Sequence, residues 1–349
     1  MRYAGFMRVV RVSRAGARAL ELTPMANDKA LAPSTGPNER LAEVPRAGAM
    51  PQLRYLFRSM RPRQWTKNGI VFLALIFSVG QEYHLSDASS WLPKVLEALV
   101  AFACFAMVSS AEYLVNDIQD VEADRAHPKK RYRPIPAGLL PVSTAWAAAG
   151  VLALVGNAAA FALNWHMGLV ILGYSALMLA YTYKLKHIVL IDLMVIAAGF
   201  VLRAMTGALA IDVPISPWLY VVTALGALFL GINKRRAELE LLEAGASSHR
   251  KILEEYTLPL LDQMGSIVTG ALLIAYGLYT FTAEGLPKNH SMMLTIPFVL
   301  YGIFRYLYLV NVKKEGGSPE EVLLRDLPIL VTAIGWVTAA GLILIFARA

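Results

Sequence analysis

The stretch Asn116–Gly138 reads NDIQDVEADRAHPKKRYRPIPAG. It follows a strongly apolar run, Leu99–Val115, and precedes another, Val142–Leu163. Four carboxylates, Asp117, Asp120, Glu122 and Asp124, stand within eight residues, and five cations follow: Arg125, Lys129, Lys130, Arg131 and Arg133. Asp117, Asp120 and Asp124 are spaced i, i+3 and i+7, which puts all three on one face of a helix. Carboxylates gathered in this way repel one another unless a cation sits among them. Mg2+ suits such an all-oxygen set, because it usually binds through one or two carboxylates plus substrate phosphates. The basic run supplies groups for phosphate oxygens, and the planar fork of Arg131 and Arg133 matches them better than a lysine does. Two plainer readings stand beside this one. The acids can be a solvated helix start balanced by the cations, and the cations can set topology and bind anionic headgroups.

The surroundings favour a membrane face. Of 349 residues, 56% are hydrophobic and 17% charged, whereas a soluble domain has about 45–50% apolar and about 25% charged residues. Nine apolar stretches approach the roughly 20 residues needed to cross a bilayer: 69–83, 94–115, 142–163, 167–183, 189–210, 216–232, 264–283, 292–311 and 327–347. The expected fold class is an all-α integral membrane protein with nine transmembrane helices. Loops 116–141, 184–188, 233–263 and 312–326 carry nearly all of the inter-span Lys and Arg, while the opposite loops hold only Lys94 and Lys288. The positive-inside rule therefore places the former, with the N-terminus, in the cytosol. Loop 233–263 reads as a cytosolic helical hairpin. The basic residues are divided among short loops, which excludes a nucleic-acid surface. The single cysteine, Cys104, excludes a disulfide framework.

Residues 1–50 are rich in Arg, Ala and Pro and read as a disordered cytosolic tail, with Met50 a candidate start. They lack the apolar region of a secretory signal. In Arg54–Asn68, Leu53, Leu56, Phe57 and Met60 fall at i, i+3, i+4 and i+7 between arginines. This is the pattern of an amphipathic helix on the membrane surface, with Trp65 at headgroup level.

Further polar residues interrupt the apolar spans. Lys67 and Asn68 lie at the inner mouth of the first. Asp192 and Arg203 lie in the fifth, about three turns apart and so on one face. Charges inside a span face the bundle interior, and three turns is far for a direct ion pair, so the spacing favours lining a cavity over a structural pair. Arg305, in the eighth, has no evident acidic neighbour. Lys234, Arg235, Arg236 and Glu238 follow the sixth, where topology alone also accounts for the cations. The six histidines show no metal-ligand spacing, and no Ser or Cys has the partners of a nucleophile.

NDIQDVEAD resembles the NDxxDxxxD motif of the UbiA superfamily of intramembrane prenyltransferases. The likeness runs from about residue 53 to the end, through Arg61–Asn68 (RPRQWTKN), Tyr113–Gly138, Leu185–His187, Leu202–Gly207 (LRAMTG), Lys234–Leu239 (KRRAEL) and Leu324–Asp326 (LRD). These stretches are similar to the branch that uses phosphoribosyl pyrophosphate (PRPP). The resemblance implies a UbiA-like bundle over 51–349, in the inner cell membrane, with a polar cavity open to the cytosol. It implies Mg2+-dependent transfer of 5-phosphoribosyl from PRPP to a polyprenyl phosphate, expected to be decaprenyl phosphate, with release of diphosphate. Cell-envelope arabinan supply is the use this acceptor implies. Asp117, Asp120 and Asp124 are then the metal ligands and catalytic residues. The substrate-binding set is Lys67, Asn68, Asn116, Lys130, Arg131, Arg133, Tyr181, Lys186, Arg203, Lys234 and Arg235.

Many prenyl-transferring members carry a second aspartate-rich motif after the fourth span. That region here offers Tyr181, Lys184, Lys186 and a single Asp192, which favours a diphosphate held by one metal cluster plus basic residues. Two alternatives stay open: transfer of a prenyl group from a prenyl diphosphate to an aromatic acceptor, and a transporter or lipid-binding membrane protein. The sequence allows a homo-oligomer without requiring one.

Overall fold

A computed structural model of the chain describes residues 49–83, 86–214, 216–243, 251–315 and 319–347. Most of the expected tail (1–48) and part of the expected cytosolic hairpin (244–250) lie outside the described residues. Among the described residues, eight helices are long and apolar enough to cross a membrane. They are α3 (Ala88–Gln119), α5 (Val142–Leu163), α6 (Trp165–Tyr183), α7 (Ile191–Ala210), α8 (Pro217–Glu243), α9 (Leu258–Thr282), α10 (Ile296–Asn311, entered through a 3-10 turn from Ser291) and α12 (Leu327–Phe346). Four short helices complete the set: α1 (Ala49–Ser59), α2 (Leu73–Phe77), α4 (Val121–Ala126) and α11 (Pro319–Arg325). The described residues form no strand, only an isolated bridge between Val79 and Tyr83.

α3 is the central helix. Of its apolar window 67% is buried, against 17% for α5 and α12. It packs against α5, α6 and α7, while α7 leads to α8, α8 to α9, and α10 to α12. Small residues make the α3–α5 approach close, as is usual between membrane helices. Ala101, Cys104 and Ala111 of α3 are buried, as are Ala145, Ala149 and Gly156 of α5. A Cβ on Gly156 would lie 3.1 Å from the Cys104 carbonyl oxygen. On the outside, Leu154, Ile274, Ile334 and Phe346 are more than half exposed. Such large apolar side chains around a whole bundle are stable in lipid, and the protein is a multi-pass membrane protein.

The expected first span, 69–83, is not a membrane-length helix. The expected surface helix over Arg54–Asn68 stops at Ser59. One cause lies at the start of both departures. Arg61 precedes Pro62, a position that disfavours α-helix, and it adopts φ 56°. The chain then runs as a 3-10 helix from Pro62 to Phe72 before the five-residue α2. Irregular backbone is tolerated at membrane depth where protein covers it. Here α7 covers it, and a Cβ on Gly207 would come 1.9 Å from the Val71 carbonyl oxygen. Trp65 is also turned inward, its Nε1 donating to Ser110 Oγ of α3 at 3.0 Å.

A buried ion pair holds α7, α8 and the segment before α9 together. Arg235 Nε donates to Asp192 Oδ2 at 2.9 Å, and Arg235 Nη1 to Glu238 at 2.7 Å. Tyr256 donates to Asp192 Oδ1 at 2.8 Å and accepts the Leu190 N–H at 2.9 Å. Burial pushes the Tyr256 hydroxyl up to about 12, so it stays protonated. Its acceptance of that N–H steadies Leu190, which sits at the unfavourable φ of 66°. Arg305 likewise has a partner that the sequence did not suggest. It donates to Asp326 at 2.9 Å, and Asp326 also caps α12 by accepting the Ile329 N–H.

Two outcomes follow. Gly207→Ala forces the 3-10 stretch off α7 and costs about 1–3 kcal/mol or more, whereas Gly173→Ala, with nothing within 4 Å, leaves the thermal midpoint in detergent unchanged. Arg235→Met strands the Asp192 charge and costs about 3–5 kcal/mol. The double variant Asp192→Asn/Arg235→Met recovers part of that loss. An Arg235→Met protein of unchanged stability but weaker substrate binding would instead place Arg235 in the active site.

Candidate active site

The acidic stretch does not continue as one helix. α3 ends at Gln119, Asp120 sits at the break with φ −91° and ψ 9°, and α4 starts at Val121. This corrects the expectation that three aspartates share one helical face. Asp117 and Asp124, both almost fully buried, are drawn together, with Arg133 Nη1 bridging Asp117 Oδ1 at 3.0 Å and Asp124 Oδ2 at 2.7 Å. Lys130 Nζ lies 3.6 Å from Asp124, and Arg61 pairs with Asp117. Asp120 turns the other way, to Lys186 Nζ at 2.7 Å and to the Asn116 amide at 3.1 Å. Among the described residues no three acidic side chains converge on one point.

A divalent cation fits the Asp117–Asp124 pair. Their two oxygens already share one cationic nitrogen, and carboxylate oxygens are the donors that Mg2+ takes. Beside the pair is a cavity of about 200 Å3 lined by Arg58, Ser59, Arg61, Asp117, Lys129, Tyr132, Arg133 and Pro134. Pockets for whole small molecules are usually about 300–1,000 Å3. This smaller space, with four cations around it, suits a single anionic group. A larger cavity of about 420 Å3, lined largely by apolar residues including Leu73, Phe77, Trp218 and Trp336, lies away from the acidic turn and has none of its charges.

The turn between acids and bases is held locally. His127 Nδ1 accepts the backbone N–H groups of Lys129 and Lys130 at 3.1 and 3.4 Å. Burial first, and then the Lys130 charge, hold its imidazole below the usual value. A neutral ring is what that acceptor role needs.

Deeper in the bundle, Arg203 is buried and held from several sides. Its Nε donates to Asn68 Oδ1 at 2.9 Å, Nη2 to Tyr174 Oη at 2.8 Å and Nη1 to the Gly199 carbonyl at 2.8 Å. The rings of Phe105, Tyr174 and Phe200 also surround it. Asn68 in turn donates to Ser109 Oγ of α3 at 3.4 Å.

The expected residues thus divide. Asp117, Asp124, Lys130 and Arg133 form one group, and Asn116, Asp120 and Lys186 an adjoining one. Asn68 and Arg203 form a third below them. Arg131 is outside these groups, exposed and stacked on Tyr132 at 4.9 Å. Arg235 is committed to Asp192. Lys67, Tyr181 and Lys234 are half-buried. Two charged residues escaped the sequence reading. Arg61 reaches Asp117 because Pro62 turns the chain there. Glu112 is a charge inside an apolar span, one turn before Asn116, which was a signal available in the sequence.

Comparison with known proteins identifies the family of the chain. Residues 73–322 match the UbiA prenyltransferase family. A decaprenyl-phosphate phosphoribosyltransferase of Mycolicibacterium smegmatis is 35% identical over 302 residues, covering 83% of this chain and 92% of that protein. One of Corynebacterium glutamicum is 36% identical over 285 residues, covering 81% and 84%. In fold, the chain is similar to a UbiA homolog from Archaeoglobus fulgidus bound to DMAPP and Mg2+, with a TM-score of 0.61, 17% identity, and 83% and 98% of the two chains covered. The chain belongs to the UbiA prenyltransferase family, as an enzyme of the group formed with its decaprenyl-phosphate phosphoribosyltransferase relatives.

Proposed function

We propose that this enzyme transfers 5-phosphoribosyl from PRPP to decaprenyl phosphate, with Mg2+, at the cytosolic face of the inner membrane. The activity named for its relatives, over four-fifths of the chain, carries the reading. The site supports it through a pair of converging carboxylates, ringed by cations, at one end of an apolar bundle. A lipid acceptor needs the bilayer for its tail, and a soluble anionic donor needs an electropositive mouth.

Asp117 and Asp124 would hold the Mg2+, with Asp120 and Asn116 beside them. The bound ion supplies neutralisation of charge on the departing diphosphate. Arg133 and Lys130 exchange carboxylate partners for phosphate oxygens, and Arg58, Arg61 and Lys129 line a space for a phosphate group. Lys186 lies on the Asp120 side and completes the ring. An oxygen of the lipid phosphate attacks the anomeric carbon. The bond from that carbon to diphosphate breaks, and the electron pair leaves with the diphosphate. The acceptor is already ionised at neutral pH, so no strong general base is required. Attack from the opposite face inverts the anomeric centre. Prenyl transfer from a prenyl diphosphate fits less well, because Asp192, the only carboxylate of a second motif, is consumed by Arg235 and Tyr256.

Membranes containing the chain, given labelled PRPP and decaprenyl phosphate, form a labelled lipid in the presence of Mg2+, and chelation stops it. Asp117→Asn and Asp124→Asn abolish it. Absence of that product, together with turnover of a prenyl diphosphate, overturns the reading. Arg133→Ala lowers kcat/KM for PRPP by about 10-fold or more, the effect of a lost charged hydrogen bond. Arg131→Ala changes it by no more than about twofold, as for a surface substitution.

A further inference from the structure

Glu112 is a charged residue within α3 to which the proposed chemistry gives no role. Its Oε2 is buried and has no hydrogen-bond partner. A buried carboxylate oxygen without a donor is costly, and its neighbours along the helix show what surrounds it. Asn116 is one turn towards the acidic turn, on the same face, and bonds to Asp120. Ser109 is three residues the other way, on the same face, and accepts from Asn68. Phe105, two turns below Glu112, packs its ring against Tyr174 at 4.7 Å, and the Arg203 guanidinium lies 5.2 Å from its centroid. Glu112 therefore stands between the carboxylates that meet diphosphate and the buried Arg203–Asn68–Tyr174 group. From Asp117 to Glu112 the helix falls by about 7.5 Å.

The missing partner is a hydrogen-bond donor, and the reactants differ sharply in donors. A polyprenyl phosphate ionised at neutral pH offers acceptors and hydrocarbon. The diphosphate and the 5-phosphate of PRPP also offer acceptors. Only the ribosyl ring, joined to the diphosphate at its anomeric carbon, brings hydroxyl donors. We propose that Glu112 is the specificity-determining residue for the donor sugar, its free carboxyl oxygen accepting from a ring hydroxyl (2-OH or 3-OH) of the phosphoribosyl group. This rests on the phosphoribosyl-transfer reading above and names the residue that distinguishes a ribosyl diphosphate from a prenyl diphosphate, which has no hydroxyl to offer.

The test pairs the side chain with the hydroxyl. The full chain in detergent with decaprenyl phosphate is assayed with PRPP and with its 2-deoxy and 3-deoxy analogues, for the unsubstituted protein, Glu112→Gln and Glu112→Ala. The unsubstituted enzyme prefers PRPP over one of the analogues by about 10-fold or more in kcat/KM, the cost of leaving a buried acceptor unsatisfied. Glu112→Ala loses activity on PRPP but not on that analogue, so the preference collapses towards unity. Glu112→Gln, which keeps an amide oxygen, retains part of it. The KM for decaprenyl phosphate stays unchanged. Equal losses on PRPP and both analogues overturn the assignment while leaving phosphoribosyl transfer intact. Overturning results also include no discrimination by the unsubstituted enzyme, or a Glu112→Gln protein that no longer folds, which makes the carboxylate structural. No PRPP turnover by the unsubstituted chain strikes down the reading itself, and the assignment with it.

Discussion

Two carboxylates, Asp117 and Asp124, are almost completely buried at the end of a membrane bundle, and one guanidinium nitrogen holds them together. Neither acid can stand there charged without a cation, because removing one partner of a buried pair leaves an uncompensated charge. The loop after α4 exists in its observed form to satisfy that demand. It folds Arg133 back over the acids and brings Lys130 to Asp124, and the His127 ring fixes the intervening turn through two backbone N–H groups. A divalent ion held there would meet the same demand, since carboxylate oxygens are the donors it takes.

Much of this could be seen in the sequence, because lipid imposes a simple rule. Apolar runs near 20 residues long form helices, since backbone groups must be satisfied within the segment, and the eight long helices follow such runs closely. Two features resisted. The Arg61–Pro62 junction is a local signal, but it acts by redirecting the chain so that Arg61 meets Asp117, 56 residues away, and no periodicity reports that. The break at Asp120 is equally local, yet it reverses the grouping of the aspartates. A regular i, i+3, i+7 count assumes an unbroken helix, and a break of one residue invalidates it.

Partner counts separate the buried charges by purpose. Asp192 uses Arg235 on one oxygen and Tyr256 on the other, and Asp326 is shared between Arg305 and the first turn of α12. Such closed groups join elements and have little capacity left for a ligand. The sequence placed Asp192 and Arg203 on one face and favoured a cavity lined by both. The structure separates them, because each has found partners on other helices: Arg203 on α6 and the 3-10 stretch, Asp192 on α8 and the segment before α9. Glu112 belongs to neither group, since one of its oxygens is still open.

The divergence of Asp120 also bears on why one acidic motif can serve a diphosphate donor. Two carboxylates neutralise one divalent ion, so the pair Asp117–Asp124 with Mg2+ contributes no net charge towards a diphosphate that leaves with several negative charges. A second metal cluster is one way to balance these, and Asp192 is not free to build it. Basic side chains are the other way. Arg61, Lys130 and Arg133 already touch the pair, and Lys186 reaches Asp120. In the proposed reaction the two carboxylates would hold the ion, which would free Arg61, Lys130 and Arg133 for the diphosphate oxygens. Under that proposal, the cations that hold the acids together would stand in for a second metal.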